Sequence, residues 1–363
     1  MSPSAQTKRW FTLQIIVTIL VAGLSACASQ PVSKPTNIVV GKSLRYEKTI
    51  QRMGIGDNDL IKRILVGNDT LDLRFPSTIS VRGDEMLIVD RGEVVDFAGT
   101  HLHDKGTAVA TGRVRLHDLN ANVVFKYNLK THRAQVIQGI SRYITNEMSD
   151  IFLDKDGSFY VTDVQGRRVL HFSPGGDLIR TYVNHPNMYR PIAISVDDAR
   201  NEVLVADEYY SHIVAFDKNT GEALYGIGDR GTGPGKFRII TDMIGIPGGF
   251  LVSDRIELRV QVLDRAGNYL ANFGRSQLMF PTALAMDKYG RVYVSDKATN
   301  TISVYKDGKR TEEIGRNGYA PGEFRLISDM KISNNKLYVA DQLNGRIQIF
   351  DILPPATGVA LAQ

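Results

Sequence analysis

A chain of 363 residues with 43% hydrophobic and 23% charged positions has a globular composition, long enough for one large or two medium cores. Its single cysteine excludes an internal disulfide framework and any cysteine-cluster zinc or iron–sulfur site. The formal charge of +5 includes Lys8 and Arg9, which lie in a segment that reads as removable; the remaining excess is too small for this length to suggest nucleic acid as a partner.

In chain order, the first element is a targeting segment. A short basic stretch (Lys8, Arg9) precedes an apolar run from Trp10 to Leu24, and small residues follow. Fifteen residues are too few to cross a bilayer core of ~30 Å as a helix, so residues 1–26 read as a signal peptide rather than a membrane span. The ending Leu24-Ser25-Ala26-Cys27 resembles the lipobox of bacterial lipoproteins. That resemblance implies a lipid on Cys27, attachment to a membrane and, because Ala28 is not acidic, sorting to the outer membrane facing the periplasm. Residues 27–43 then read as lipid anchor and flexible tether, residues 44–353 as one domain, and residues 354–363 as a disordered tail.

Within that domain the string Val292-Tyr-Val-Ser-Asp296 returns at 159–163, 203–207, 250–254 and 337–341, with a shorter copy ending at Asp90. The terminal aspartates are 42–47 residues apart, except for a first step of 73, which marks an insertion of about 28 residues at about 91–121. Each copy is followed by a β-branched and then a large apolar residue (Ile302/Tyr305, Ile347/Phe350), and preceded by an alternating strand and a turn such as Asp287-Lys-Tyr-Gly290. Period-two alternation with turns every 8–12 residues predicts short antiparallel strands, four per unit. Six such units predict an all-β, six-bladed β-propeller. Its ring is expected to close through an N-terminal strand, assigned to Leu60–Gly67.

The motifs resemble those of the NHL-repeat propellers. Gly233-Pro-Gly-Lys-Phe237, Pro321-Gly-Glu-Phe324, Leu337–Asp341 and Asn344-Gly-Arg-Ile-Gln-Ile-Phe350 carry the likeness, which extends over about 60–353. Residues 226–231 spell GxGxxG, but glycine and Pro234 follow instead of a helix, so this is a connection between blades and not a dinucleotide site.

Features present in every unit read as scaffold, among them the strand-end aspartates and the arginines five residues later (Asp163/Arg168, Asp254/Arg259, Asp341/Arg346). Departures from the repeat are the candidate sites. Aligned on the strand-end aspartate, one inner-strand position reads Thr78, Asp150, Ala193, Asp242, Ala283, Asp329. Asp150, Asp242 and Asp329 either cap backbone N–H groups or hold a ligand or hard cation such as calcium at the channel face. The insertion carries His101, His103 and His117, a candidate zinc set on a predicted hairpin whose other reading is a lid or docking flap. Tyr189, Arg190, Tyr209, Tyr210 and His212 gather aromatic and basic side chains on the same rim.

Two functions remain open. One is a non-catalytic, monomeric binding or scaffold module in the cell envelope, presenting its channel face to a protein, peptide or glycan. The other is a metal-dependent enzyme of lactonase, hydrolase or lyase type, in which Asp150, Asp242 and Asp329 hold the cation. Gluconolactonase-like propellers carry an early Glu-Gly-Pro at their metal site, and amidating-lyase propellers carry channel histidines and disulfides. Neither pattern stands here, which favours binding.

Overall fold

The computed structural model describes residues 38–55, 70–91, 122–145, 147–183 and 188–355. Their strands form six blades, antiparallel except for Arg52–Ile55, which joins the first in parallel, arranged as a six-bladed β-propeller. Blades three to five follow one plan, as in Pro191–Asp197, Glu202–Asp207, His212–Asp217 and Ala223–Ile227, ordered from the inner strand outward. Blade two has the same four-strand order with a short inner strand, Ile151–Leu153. Blade one begins at Pro76–Arg82 and gains two strands on its outer side, Arg52–Ile55 and Thr70–Asp72.

Second strands are buried along their whole length in blades two to five, as in Phe159–Asp163 and Arg291–Asp296, and beyond their first residue in blades one and six, because they lie between inner and third strands and under both neighbouring blades. Outer strands such as Tyr269–Phe273 and Lys309–Ile314 bury only their last residue. The apolar side chains form six clusters, one at each junction between adjacent blades. The protein is therefore held by blade-to-blade burial around the ring, at roughly 25 cal/mol per Å² of apolar surface.

The Pro-Gly-x-Phe connections have a packing cause. Phe237 and Phe324 are fully buried, and each ring covers a glycine of positive φ, Gly228 (+78°) and Gly315 (+88°). A Cβ at either glycine would lie 2.8 or 2.6 Å from the ring. The GxGxxG string ends in a two-residue strand, Asp229–Arg230, paired in parallel with Lys236–Phe237, and no helix follows it.

Ring closure differs from the sequence assignment. The strand paired with the last strand, Arg346–Ile352, is Leu44–Ile50, not Leu60–Gly67. Leu44 packs at the junction of blades five and six and Ile50 at that of blades six and one, so the position is filled from both sides. Leu60–Gly67, like the insertion at 92–121, lies outside the described residues.

Candidate functional site at the channel mouth

All six inner strands start at the same end of the channel, the end at which the second strands finish. The strand-end aspartates sit there, buried, and accept backbone N–H groups of the loop that leads into the inner strand of their own blade. Asp90 accepts from Arg74 and Phe75. Asp207 takes Tyr189, Arg190 and Tyr210, and Asp254 takes Arg238, Ile239 and Glu257. Arg168 and Arg346 donate to Asp163 and Asp341 at 2.9 and 2.7 Å, while Arg259 stands 3.8 Å from Asp254 and donates to the Gly233 and Lys236 carbonyls. These groups build the loops on which the mouth is carried.

One layer deeper are Asp150, Asp242 and Asp329. Each accepts the N–H of the residue after it, and with its other oxygen an N–H of the next blade: Ile194 for Asp150 at 2.8 Å, Leu284 for Asp242 at 2.7 Å, Ile79 for Asp329 at 2.9 Å. The carboxylates thus staple blade two to three, four to five and six to one. At the other three junctions the same position is Thr78, Ala193 or Ala283. The alternation continues one step further down, with Phe152, Ile244 and Lys331 at the stapled junctions and Ser80, Ser195 and Ala285 between them.

Lys331 breaks the threefold pattern. Where two blades place an apolar side chain, it sends an ammonium into the carboxylate layer, 2.9 Å from Asp329 and 3.6 Å from Asp150. Burial works against the charged ammonium, but the facing Asp329, Asp150 and Asp242 outweigh it and push its pKa up. Burial in turn raises Asp242 to about 7, with Lys331 pulling it down and Asp329 pushing it up. Asp150 is raised for the same first cause. The positive charge that the sequence reading assigned to a metal ion is supplied in this layer by a side chain of the protein. Among the described residues no group of three or more His, Cys, Asp or Glu side chains is spaced to hold a metal. His101, His103 and His117 lie outside the described residues.

Above this layer is a cavity of about 270 Å³. Its rim carries an arc of alternating charge. Arg91 and Arg190 share Glu147 at 3.5 and 3.4 Å, Arg190 and Arg255 share Glu208 at 2.5 and 3.8 Å, and Arg255 lies over Phe280 with Lys297 beside it. Tyr189, Tyr209 and Tyr210 stand next to Arg190, 41%, 53% and 37% exposed, with ring centroids 4.6 and 4.9 Å apart along the series. Arg167 stacks on Tyr189 at 3.8 Å. His212 does not join them: its Nδ1 is 2.6 Å from the Gly228 carbonyl oxygen and its ring covers Gly226, both at the outer edge of blade three.

Sequence reading missed Lys331, Glu147, Glu208, Arg255 and Lys297. Lys331 had a signal, since it is the one charged residue two places after a channel aspartate, where Phe152 and Ile244 stand in the other blades. The opposite end of the channel opens into a second cavity of about 560 Å³, bordered by the hairpin residues Asp197, Asp198 and Pro247.

A family model described as a 6-bladed beta-propeller matches residues 281–353, the inner strand of blade five to the third strand of blade six. No curated protein matches the chain. Among solved structures it is similar to a structural genomics protein of unknown function from Bacteroides thetaiotaomicron VPI-5482, with 13% identity and a TM-score of 0.55 over 77% of this chain and 70% of that one. It is also similar to the computationally designed Ika8 protein, with 14% identity and a TM-score of 0.45 over 76% and 71%. Blade order, junction packing and the first of these structural likenesses agree on one architecture: the chain is a six-bladed β-propeller.

Proposed function

We propose that this chain is an NHL-type propeller of the cell envelope, lipid-anchored through Cys27, that acts as a binding module for a macromolecule at its channel mouth. The observation that carries the reading is a division of labour between two layers. In the inner layer, each oxygen of Asp150, Asp242 and Asp329 accepts a backbone or side-chain donor of the ring. In the outer layer, exposed tyrosines and an arginine-rich arc face away from the ring. Tyrosine and arginine are among the side chains that most often anchor protein interfaces, tyrosine because it offers large contact area with few rotors to freeze and arginine because its planar fork supplies several donors.

A photo-crosslinking residue at Tyr209, compared with one at Arg265 on the opposite side of the ring, tests the mouth as the binding surface in intact cells. Discrete products from position 209 and none from 265 are expected; equal patterns would refute the assignment. The anchor is tested separately, by labelling with radioactive palmitate in wild type and Cys27→Ser. Label retained in the variant would refute lipidation at that residue.

A further inference from the structure

The strand-end aspartates do more than support turns. In four blades a backbone N–H that the buried carboxylate accepts belongs to an arginine: Arg74 on Asp90 at 2.8 Å, Arg190 on Asp207 at 2.5 Å, Arg238 on Asp254 at 3.2 Å, Arg325 on Asp341 at 2.7 Å. A second repeated bond fixes the residue after the aspartate, whose N–H donates to a carbonyl just ahead of the inner strand. In three blades that residue is basic, with Arg91 on Phe75, Arg255 on Ile239 and Lys297 on Phe280 at 2.9–3.1 Å. Seven basic side chains thus rise from three backbone positions that the repeat itself holds rigid: two places before the inner strand for Arg74, Arg238 and Arg325, one place before it for Arg190, and directly after the aspartate for Arg91, Arg255 and Lys297.

On this rim the carboxylates that answer them are Glu147 and Glu208, each shared between two arginines. Among the described residues Arg74, Arg238, Lys297 and Arg325 have no acidic partner. Basic side chains without acidic partners beside a concave mouth attract the opposite charge, and the guanidinium fork matches a carboxylate with two parallel hydrogen bonds.

Resting on the binding-module reading, we infer that the mouth recognises an acidic segment of a partner protein. The tyrosine cluster beside Arg190 decides between polypeptide and anionic polysaccharide. A peptide brings carboxylates for the arginines together with apolar side chains for Tyr189, Tyr209 and Tyr210, whereas a sulfated or uronate-rich polymer engages the charges and leaves the exposed rings uncovered.

The test uses the full-length chain and a fluorescein-labelled peptide in which Glu and Asp alternate with Tyr and Leu. The same peptide with Gln and Asn, and dextran sulfate, serve as comparison ligands. The triple variant Arg74→Glu/Arg238→Glu/Lys297→Glu changes side chains without ion-pair partners in the fold, and Arg265→Glu on the opposite side is the control. Saturable, salt-sensitive binding of the acidic peptide is expected, weakened about 10-fold or more in the triple variant and unchanged in Arg265→Glu, with no binding of the neutral peptide. Peptide binding that survives the triple variant would overturn the inference, and so would binding of dextran sulfate alone. Crosslinking from Tyr209 in the triple variant separates the two readings. Products that persist while the acidic peptide fails to bind leave the module standing and remove the acidic partner; no products even in the unmutated ring would remove the module itself.

Discussion

Asp329, in the inner strand of the last blade, accepts the backbone N–H of Ile79, in the inner strand of the first, at 2.9 Å. The ring is therefore joined twice, by this bond at the channel and by Leu44–Ile50 against Arg346–Ile352 outside it. The same bond recurs from Asp150 to Ile194 and from Asp242 to Leu284, but only at Asp329 does it coincide with the place where the two ends of the propeller meet.

Replacing Asp329 by alanine orphans the N–H groups of Ile79 and Met330 and removes the nearest partner of Lys331. Asp242→Ala orphans two N–H groups without breaking an ion pair within hydrogen-bonding distance. Each buried donor left unpaired costs about 1–3 kcal/mol. Urea unfolding should therefore rank Asp329→Ala below Asp242→Ala, and both below wild type. Equal losses would show that the ammonium contributes nothing to the seam.

Lys331→Met keeps the stem and removes the charge, leaving three carboxylates in one layer. Stability at pH 8 should fall by about 3 kcal/mol, toward the lower end for a broken ion pair because Lys331 retains contact with water. The loss should shrink as the pH is lowered from 7 to 5 and the carboxylates take up protons. Lys331 itself stays charged over that range, so a deficit independent of pH would contradict the electrostatic account.

Asp242 has the opposite signature to a salt-bridged carboxylate. Its pKa in the fold, about 7, lies above its ordinary value of 3.8, so its contribution is greatest at low pH and is lost as the pH rises through that interval. Asp242→Asn is neutral throughout and gives up one acceptor. It should be clearly less stable than wild type at pH 4, with the gap narrowing by about 3 kcal/mol by pH 8. Denaturant midpoints at the two pH values decide it; a gap that widens with pH would be the wrong sign.

Glu312, in the outer strand of blade five, accepts the N–H groups of Lys42 at 2.6 Å and Ser43 at 3.0 Å, just ahead of the closing strand. Glu312→Ala should leave the other blades unchanged and accelerate amide exchange within Leu44–Ile50. A cost of about 2–4 kcal/mol is expected for the loss of two N–H donors and the Ser43 hydroxyl from a half-exposed charged acceptor. Uniform acceleration around the ring would show instead that the closing strand is not a separate unit.

What could be read from the residues follows burial. Second strands are enclosed on every side, so Val292-Tyr-Val-Ser-Asp296 and its copies are constrained at each position, and six blades are countable from them alone. Outer strands touch the core through one or two residues, and Lys309–Ile314 or Leu44–Ile50 can be largely polar without loss. That is why a charged stretch was passed over and the more apolar Leu60–Gly67 was assigned in its place. At the channel, the alternation of Asp150, Asp242 and Asp329 was visible, but its partners are backbone N–H groups, which have no letter in a sequence. Lys331 was hidden by belonging to a single blade.

The alternation of bulky and small residues around the channel divides the ring into three couples of blades. Within a couple, a carboxylate laces the inner strands together through a backbone N–H; between couples, hydroxyl and guanidinium groups make the ties, as from Ser80 and Arg82 of blade one to Leu153 of blade two. The arc from Glu147 through Arg190 and Glu208 to Arg255 passes over the joint between blades three and four, so a partner seated on that arc would tie one couple of blades to the next.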